Sequence, residues 1–207
     1  MASTFDNNLR LREMGTGDES GTWGARTNEN LELIAEAFSY QTEATFSSDA
    51  NATATIADGS TDKYRAMYVK VTSGVSLTAT RTLTIAPNTV SKMFIIENAT
   101  SGSQSISIAQ GSGGAITIPN GNSKVIFTEG TGSGAGVIDG FSKIDLGSSA
   151  KISNKEIASI DGTQTLTNKS IDSDNNTITN IANADIKSSA GLEFSKMENL
   201  TASRALV

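Results

Sequence analysis

Asp172, Asp174 and Asn176 stand at alternate positions, the spacing with which a calcium loop begins to surround a hard cation with side-chain oxygens. Such a loop needs Gly at its sixth position for a sharp turn and a bidentate Glu at its twelfth. Here those positions are Thr177 and Asn183, so an Asx-rich turn is the expected reading. Gly130-Thr-Gly132-Ser-Gly134-Ala-Gly136 has the glycine density to bring backbone N–H groups around a phosphate. It lacks the Lys-Ser/Thr of a P-loop and the GxGxxG spacing, and the strand-like Val137-Ile138 follows it where a helix is required. It reads as a turn. The chain has no histidine and no cysteine, so a Ser-His-Asp site, an HExxH zinc site, a thiol nucleophile and a disulfide cannot be assembled. Paired carboxylates could still hydrolyse a glycoside, but such clefts offer aromatic platforms, and the one Trp and three Tyr are spread over different segments. A protein without catalysis, metal or cofactor is expected.

The formal net charge of −6 comes from scattered acidic and basic residues with no block of one sign. Nothing gathers phosphates, so nucleic acid is not an expected partner. The N-terminus MASTFDNNLRLREMG has no charged-then-apolar signal layout, and no run approaches the roughly 18 apolar residues that span a bilayer. Membrane insertion is not expected. Without such a signal, triplets such as Asn51-Ala-Thr53 and Asn98-Ala-Thr100 carry no message about glycans.

Three kinds of element would position these residues. Over residues 1–45, Phe5, Leu9 and Leu11 lead into a Gly-rich stretch ending at Trp23-Gly24. Leu31, Ile34, Ala35 and Phe38 then recur at i, i+3, i+4 and i+7, which predicts one amphipathic helix at about 28–41, with Thr27 or Asn28 as N-cap and Glu29 in its first turn. Its apolar stripe is too small to stand alone and is expected to dock on something, either its own neighbours or another protein. Trp23 has two readings, an anchor in a pocket on another protein or packing under this helix.

Residues 46–145 are expected to form one domain, in which Ala44 to Asp62 reads as an extended linker and the period becomes two from about Tyr64 to Gly140. Met67-Val69-Val71, Leu83-Ile85, Phe94-Ile95-Ile96, Ile106-Ile108, Ile116-Ile118 and Val125-Ile126-Phe127 recur about every ten residues between turn residues, with a possible edge strand at Ala54-Thr-Ile56. This predicts an antiparallel β-sandwich or barrel, and Asn120-Gly121 is its strongest hairpin signal. The fold class expected is mainly β.

Residues 146–207 are different again. Leu166, Ile171, Ile178, Ile181, Ile186, Leu192, Phe194, Met197 and Leu200 stand singly among Asn, Asp, Ser, Thr and Lys. One copy cannot enclose a core from so few apolar residues, yet their placing is too regular for a solvated tail. Three copies about an axis could bury what one cannot, so this stretch is expected to form an extended trimeric shaft.

Two stretches carry a resemblance. Gly17-Asp-Glu-Ser-Gly-Thr-Trp23-Gly24-Ala-Arg-Thr-Asn28-Glu-Asn30, continuing to Phe38, resembles the N-terminal segment of virion structural and tail-fibre proteins of marine tailed phages, including those infecting cyanobacteria. Asp161-Gly-Thr-Gln-Thr-Leu-Thr-Asn-Lys169, Asn175-Asn-Thr-Ile-Thr-Asn180-Ile181 and Asn183-Ala-Asp-Ile186-Lys187 are similar to the linker repeats of phage fibre shafts. The resemblance implies a homotrimeric appendage of the phage tail, assembled in the host cytoplasm. It would be anchored through Phe5, Leu9, Trp23, Leu31, Ile34 and Phe38 to a tail adaptor or nozzle protein, and would reach a host surface receptor through a distal part beyond Val207. A capsid fibre or head decoration protein is the alternative. A carbohydrate-binding module, with Tyr64 and Tyr68 on the face of the sandwich, is a third reading.

Overall fold

The computed structural model describes residues 3–144 together with Lys151–Ile152 and Lys155–Glu156. The chain divides into two compact units, Met1–Leu146 and Gly147–Val207. In the first, the helix α1 (Trp23–Ala37) precedes nine strands among the described residues. These are β1 (Tyr40–Phe46), β2 (Ala52–Thr55), β3 (Tyr68–Ser73), β4 (Arg81–Ala86), β5 (Met93–Asn98), β6 (Ile106–Ala109), β7 (Ile116–Ile118), β8 (Ser123–Thr128) and β9 (Val137–Asp139). The unit is mainly β with one N-terminal helix, and its sheets are mixed rather than antiparallel throughout.

One sheet runs β1-β3-β5-β8-β9 and the other β2-β4-β6-β7. Through β6 the chain visits the two sheets alternately, so each strand lies parallel to the strand two before it. Tyr40 pairs with Tyr68 and Tyr68 with Ile95 in the first sheet, and Ala52 with Leu83 and Leu83 with Ile108 in the second. Parallel neighbours ordinarily need a crossover of a dozen or more residues, usually a helix. Here the crossover is a strand of the opposite sheet, so the first six strands form a flattened coil. The final three strands change the pattern. β7 turns back on β6, β8 runs antiparallel to β5, and β9 antiparallel to β8.

The expected hairpin at Asn120-Gly121 is therefore corrected. Gly121, at φ 77°, does turn the chain, but it carries it from β7 in one sheet to β8 in the other. A period of two specifies which side chains face inward and leaves the pairing partner open. The hairpins that do form, β6–β7 and β8–β9, have glycine-rich turns that lie against each other. The Gly111 and Gly113 N–H groups donate to the Ala135 carbonyl (2.8 and 3.1 Å), and Val137 N–H donates to the Gly114 carbonyl (2.8 Å). Only glycine permits this approach, because a Cβ at Gly113 would lie 2.7 Å from the Gly134 carbonyl oxygen.

Inward positions of both sheets meet in one core, with Val69 and Val71 from β3, Leu83 and Ile85 from β4, Phe94 and Ile96 from β5, Ile106 and Ile108 from β6, and Ile126 from β8. β1 departs from this pattern. It runs into the stretch expected to be a linker and ends on Phe46, buried in the core, but its earlier inward positions are Gln41, Glu43 and Thr45, because the first coil is closed by a 3₁₀ turn, Lys63–Arg65, rather than by another strand. Tyr64 of that turn is buried and its hydroxyl meets that of Thr45, while Lys63 Nζ donates to Gln41 Oε1 at 3.0 Å. In the second unit, β10 (Lys151–Ile152) and β11 (Lys155–Glu156) pair antiparallel, Lys151 opposite Glu156.

Candidate docking surfaces

The helix starts and ends earlier than the 28–41 its apolar period predicts, closing at Ala37 because Tyr40 and Gln41 belong to β1. It begins at Trp23 with Thr22 at the N-cap, so Glu29 falls in the second turn and pairs with Arg26 at 2.8 Å instead of serving the first turn. Ahead of the helix, the Glu19 carboxylate accepts from Thr22 Oγ1 (2.8 Å) and Arg26 Nε (3.2 Å), placing a negative charge where the helix dipole favours one. Those contacts hold the Glu19 carboxyl below its usual range.

The face that packs inward lies away from the apolar stripe. Leu33 and Ala37 are the buried residues of α1, whereas Trp23, Leu31, Ile34 and Phe38 are 65%, 58%, 36% and 71% exposed. At 3.6 residues per turn these four positions fall within roughly 80° of arc, so they form one outward stripe. Polar contacts hold the helix in this orientation. Asn30 exchanges two hydrogen bonds with the Arg12 backbone, donating from Nδ2 to its carbonyl (2.9 Å) and accepting its N–H (3.0 Å). Glu36 Oε1 accepts from Thr61 Oγ1 (2.7 Å) and from the Asp62 N–H (3.2 Å), and Glu36 Oε2 lies 3.5 Å from Nε of a fully buried Arg65. Arg65 Nη2 in turn donates to the carbonyls of Ala57 (2.6 Å) and Ser60 (2.8 Å) and to Asp62 Oδ2 (3.0 Å). An ion cluster under the helix thus fixes one face and leaves four large apolar side chains in water.

Phe5 and Leu9, grouped with that stripe on resemblance, lie apart from it in character. Both are partly covered, Phe5 packs against Gly59, and Arg12 stacks over its ring at 5.2 Å. Arg10 and Asn8 tie the same segment to Asp58 (2.7 Å) and to the Ser91 N–H (2.9 Å). This stretch is built into the unit.

A second apolar surface had no signal as such in the sequence. Tyr40, Tyr68, Ile95 and Val125 sit opposite one another across β1, β3, β5 and β8, all on the outer face of the five-stranded sheet. The Tyr40 and Tyr68 rings lie 5.1 Å apart. Met93, Phe127 and Ile138 form a second row beside the first, exposed by 36%, 41% and 49%. Phe141, 63% exposed, lines a hollow of about 270 Å³ with Ile95 and Val125. On the other side of the first row lies a polar one, Thr42, Lys70, Glu97 and Ser123, in which Lys70 and Glu97 pair at 3.2 Å, and Tyr68 donates to Glu97 at 2.9 Å. On the four-stranded sheet the corresponding outer positions are Thr53, Thr82, Thr84, Ser107, Ala109 and Thr117.

Three other features have structural duties. An open groove of about 740 Å³ beside α1 is lined by Glu29, Glu32 and Glu36, and among the described residues no group of three or more His, Cys, Asp or Glu is placed to hold a metal ion. Tyr64 is buried as a core cap, which removes it from any carbohydrate-binding face. Asn98 is fully buried and donates to the Gln104 and Ile118 carbonyls, both at 3.0 Å, so it braces a loop and is closed to modification. Leu166, Ile171, Ile178, Ile181, Ile186, Leu192, Phe194, Met197 and Leu200, and the Asp172–Asn176 loop, lie outside the described residues. Among the described residues no helix is long and apolar enough to cross a membrane. Compared with known proteins, the chain matches no family model, no curated protein and no solved structure.

Proposed function

We propose that the chain is a phage virion structural protein, a homotrimeric tail fibre or its virion-proximal part, which supports host attachment without catalysis. In this reading α1 docks through Trp23, Leu31, Ile34 and Phe38 on a tail adaptor or nozzle protein, and residues 146–207 wind with two further copies into a shaft. A distal part reaches the host receptor, and three linked copies gain avidity without any new contact.

The observation that carries the docking role is the rigid presentation of four exposed apolar side chains on a helix whose opposite face is locked by Asn30, Glu36 and Arg65. Burying each completely would be worth about 1.5–3 kcal/mol, so such a stripe favours a partner. Sparse apolar spacing after residue 146 supports the trimer.

Two measurements test the reading. Sedimentation equilibrium of the full chain at micromolar concentration is expected to give three times the 21.5 kDa chain mass, and a monomer overturns it. Antibody against the first unit is expected to label the tail of the assembled particle. Labelling of the head favours a capsid fibre or decoration protein instead, and no labelling removes the virion role.

A further inference from the structure

We infer that the outer face of the five-stranded sheet is a contact between copies of this chain. The inference rests on the trimer proposed above and specifies which surface of the first unit meets its neighbours.

Folding of a single copy does not call for an apolar face there. The same chain makes the outer face of its other sheet from Thr, Ser and Ala, and both sheets fill their common core from inward positions. Yet Tyr40, Tyr68, Ile95 and Val125 run unbroken across four strands, with Phe127 and Ile138 alongside. Contiguous exposed apolar surface of this kind marks an interaction site.

The occupant follows from where the chain leaves the unit. β9 carries Ile138 onto this face, Phe141 lies beside Ile95 and Val125, and the described chain of the unit ends at Ile144. Copies joined through residues 147–207 are therefore tethered next to the apolar rows, at an effective concentration on the order of millimolar for a short link. Charge presents no obstacle, because Lys70 and Glu97 neutralise each other within the face at 3.2 Å, and a second copy brings up no uncompensated charge there.

The chain contains no cysteine, so single cysteines report accessibility directly. In the full chain, Ile138→Cys on this face and Thr117→Cys on the threonine face are both exposed positions within one copy. At micromolar protein, a maleimide dye is expected to label Ile138→Cys at least tenfold more slowly than Thr117→Cys. Adding Phe127→Glu, an outward change, is expected to restore the fast rate. Equal rates in a chain that sediments as a trimer overturn this face and leave the trimer standing, while a monomeric mass overturns both. Protection that survives Phe127→Glu in a dissociated chain means the shielding arises within one copy, which also overturns the contact.

Discussion

The two sheets of the first unit share a core but differ on their outer faces. Inward, Phe94 and Ile96 on one side and Ile106 and Ile108 on the other are all fully buried. Outward, one sheet presents aromatic and aliphatic rows and the other a field of threonine. Threonine is β-branched and suits a strand as well as valine does, while its hydroxyl tolerates water. The contrast separates two demands on one alternating sequence. Inward residues answer to folding of the single copy, and outward residues answer to what that copy meets.

The largest effects should come from the inner faces and should not distinguish the sheets. Phe94→Ala is expected to cost about 3–5 kcal/mol and Ile108→Ala about 2–5 kcal/mol, read as urea midpoints. A much smaller loss on either side would break the symmetry of the core.

A smaller effect is expected at Lys92, where β5 begins. Its ammonium donates to the Ala66 carbonyl at 2.8 Å and sits 3.9 Å over the Phe94 ring. Burial pulls its pKa down from 10.5 to about 8, against the attraction of Asp62. The folded chain thus holds this proton less tightly than the unfolded chain, so the penalty is full below pH 8 and fades as pH rises toward 10.5. Lys92→Met should stabilise the unit by about 2 kcal/mol at pH 7, with the gain shrinking across that window. A pH-independent difference would place the cause in packing.

The smallest effects on stability should come from the outer faces, where the sheets diverge in another readout. Ile138→Glu and Thr117→Glu are each expected to move stability by no more than about 0.5 kcal/mol. Only Ile138→Glu should change how copies associate, visible as a shift in sedimentation.

Much of the strand content was legible because turn residues separate short β-branched runs at Tyr68–Ser73, Arg81–Ala86, Met93–Asn98, Ile106–Ala109, Ile116–Ile118 and Ser123–Thr128. β1 was missed for a physical reason. Tyr40-Gln-Thr-Glu-Ala-Thr-Phe46 forms the end coil, where inward residues meet the 3₁₀ turn and Tyr64 instead of a further apolar layer, so its alternation is hidden. The helix was legible as an element, and the direction it faces was not. Leu31, Ile34 and Phe38 form the more obvious stripe, but Arg65, Asp62 and Glu36 bind the other side.

From the order of residues alone came the β-rich middle, the single helix and the absence of histidine and cysteine. Tertiary structure alone decided that the first six strands pair across a coil and only β6–β7 and β8–β9 as hairpins, that α1 turns its aromatic stripe to water, and that the outward rows align into one apolar face. Alternation along a strand records only inside and outside, whereas neighbour and register depend on which distant strands are brought together.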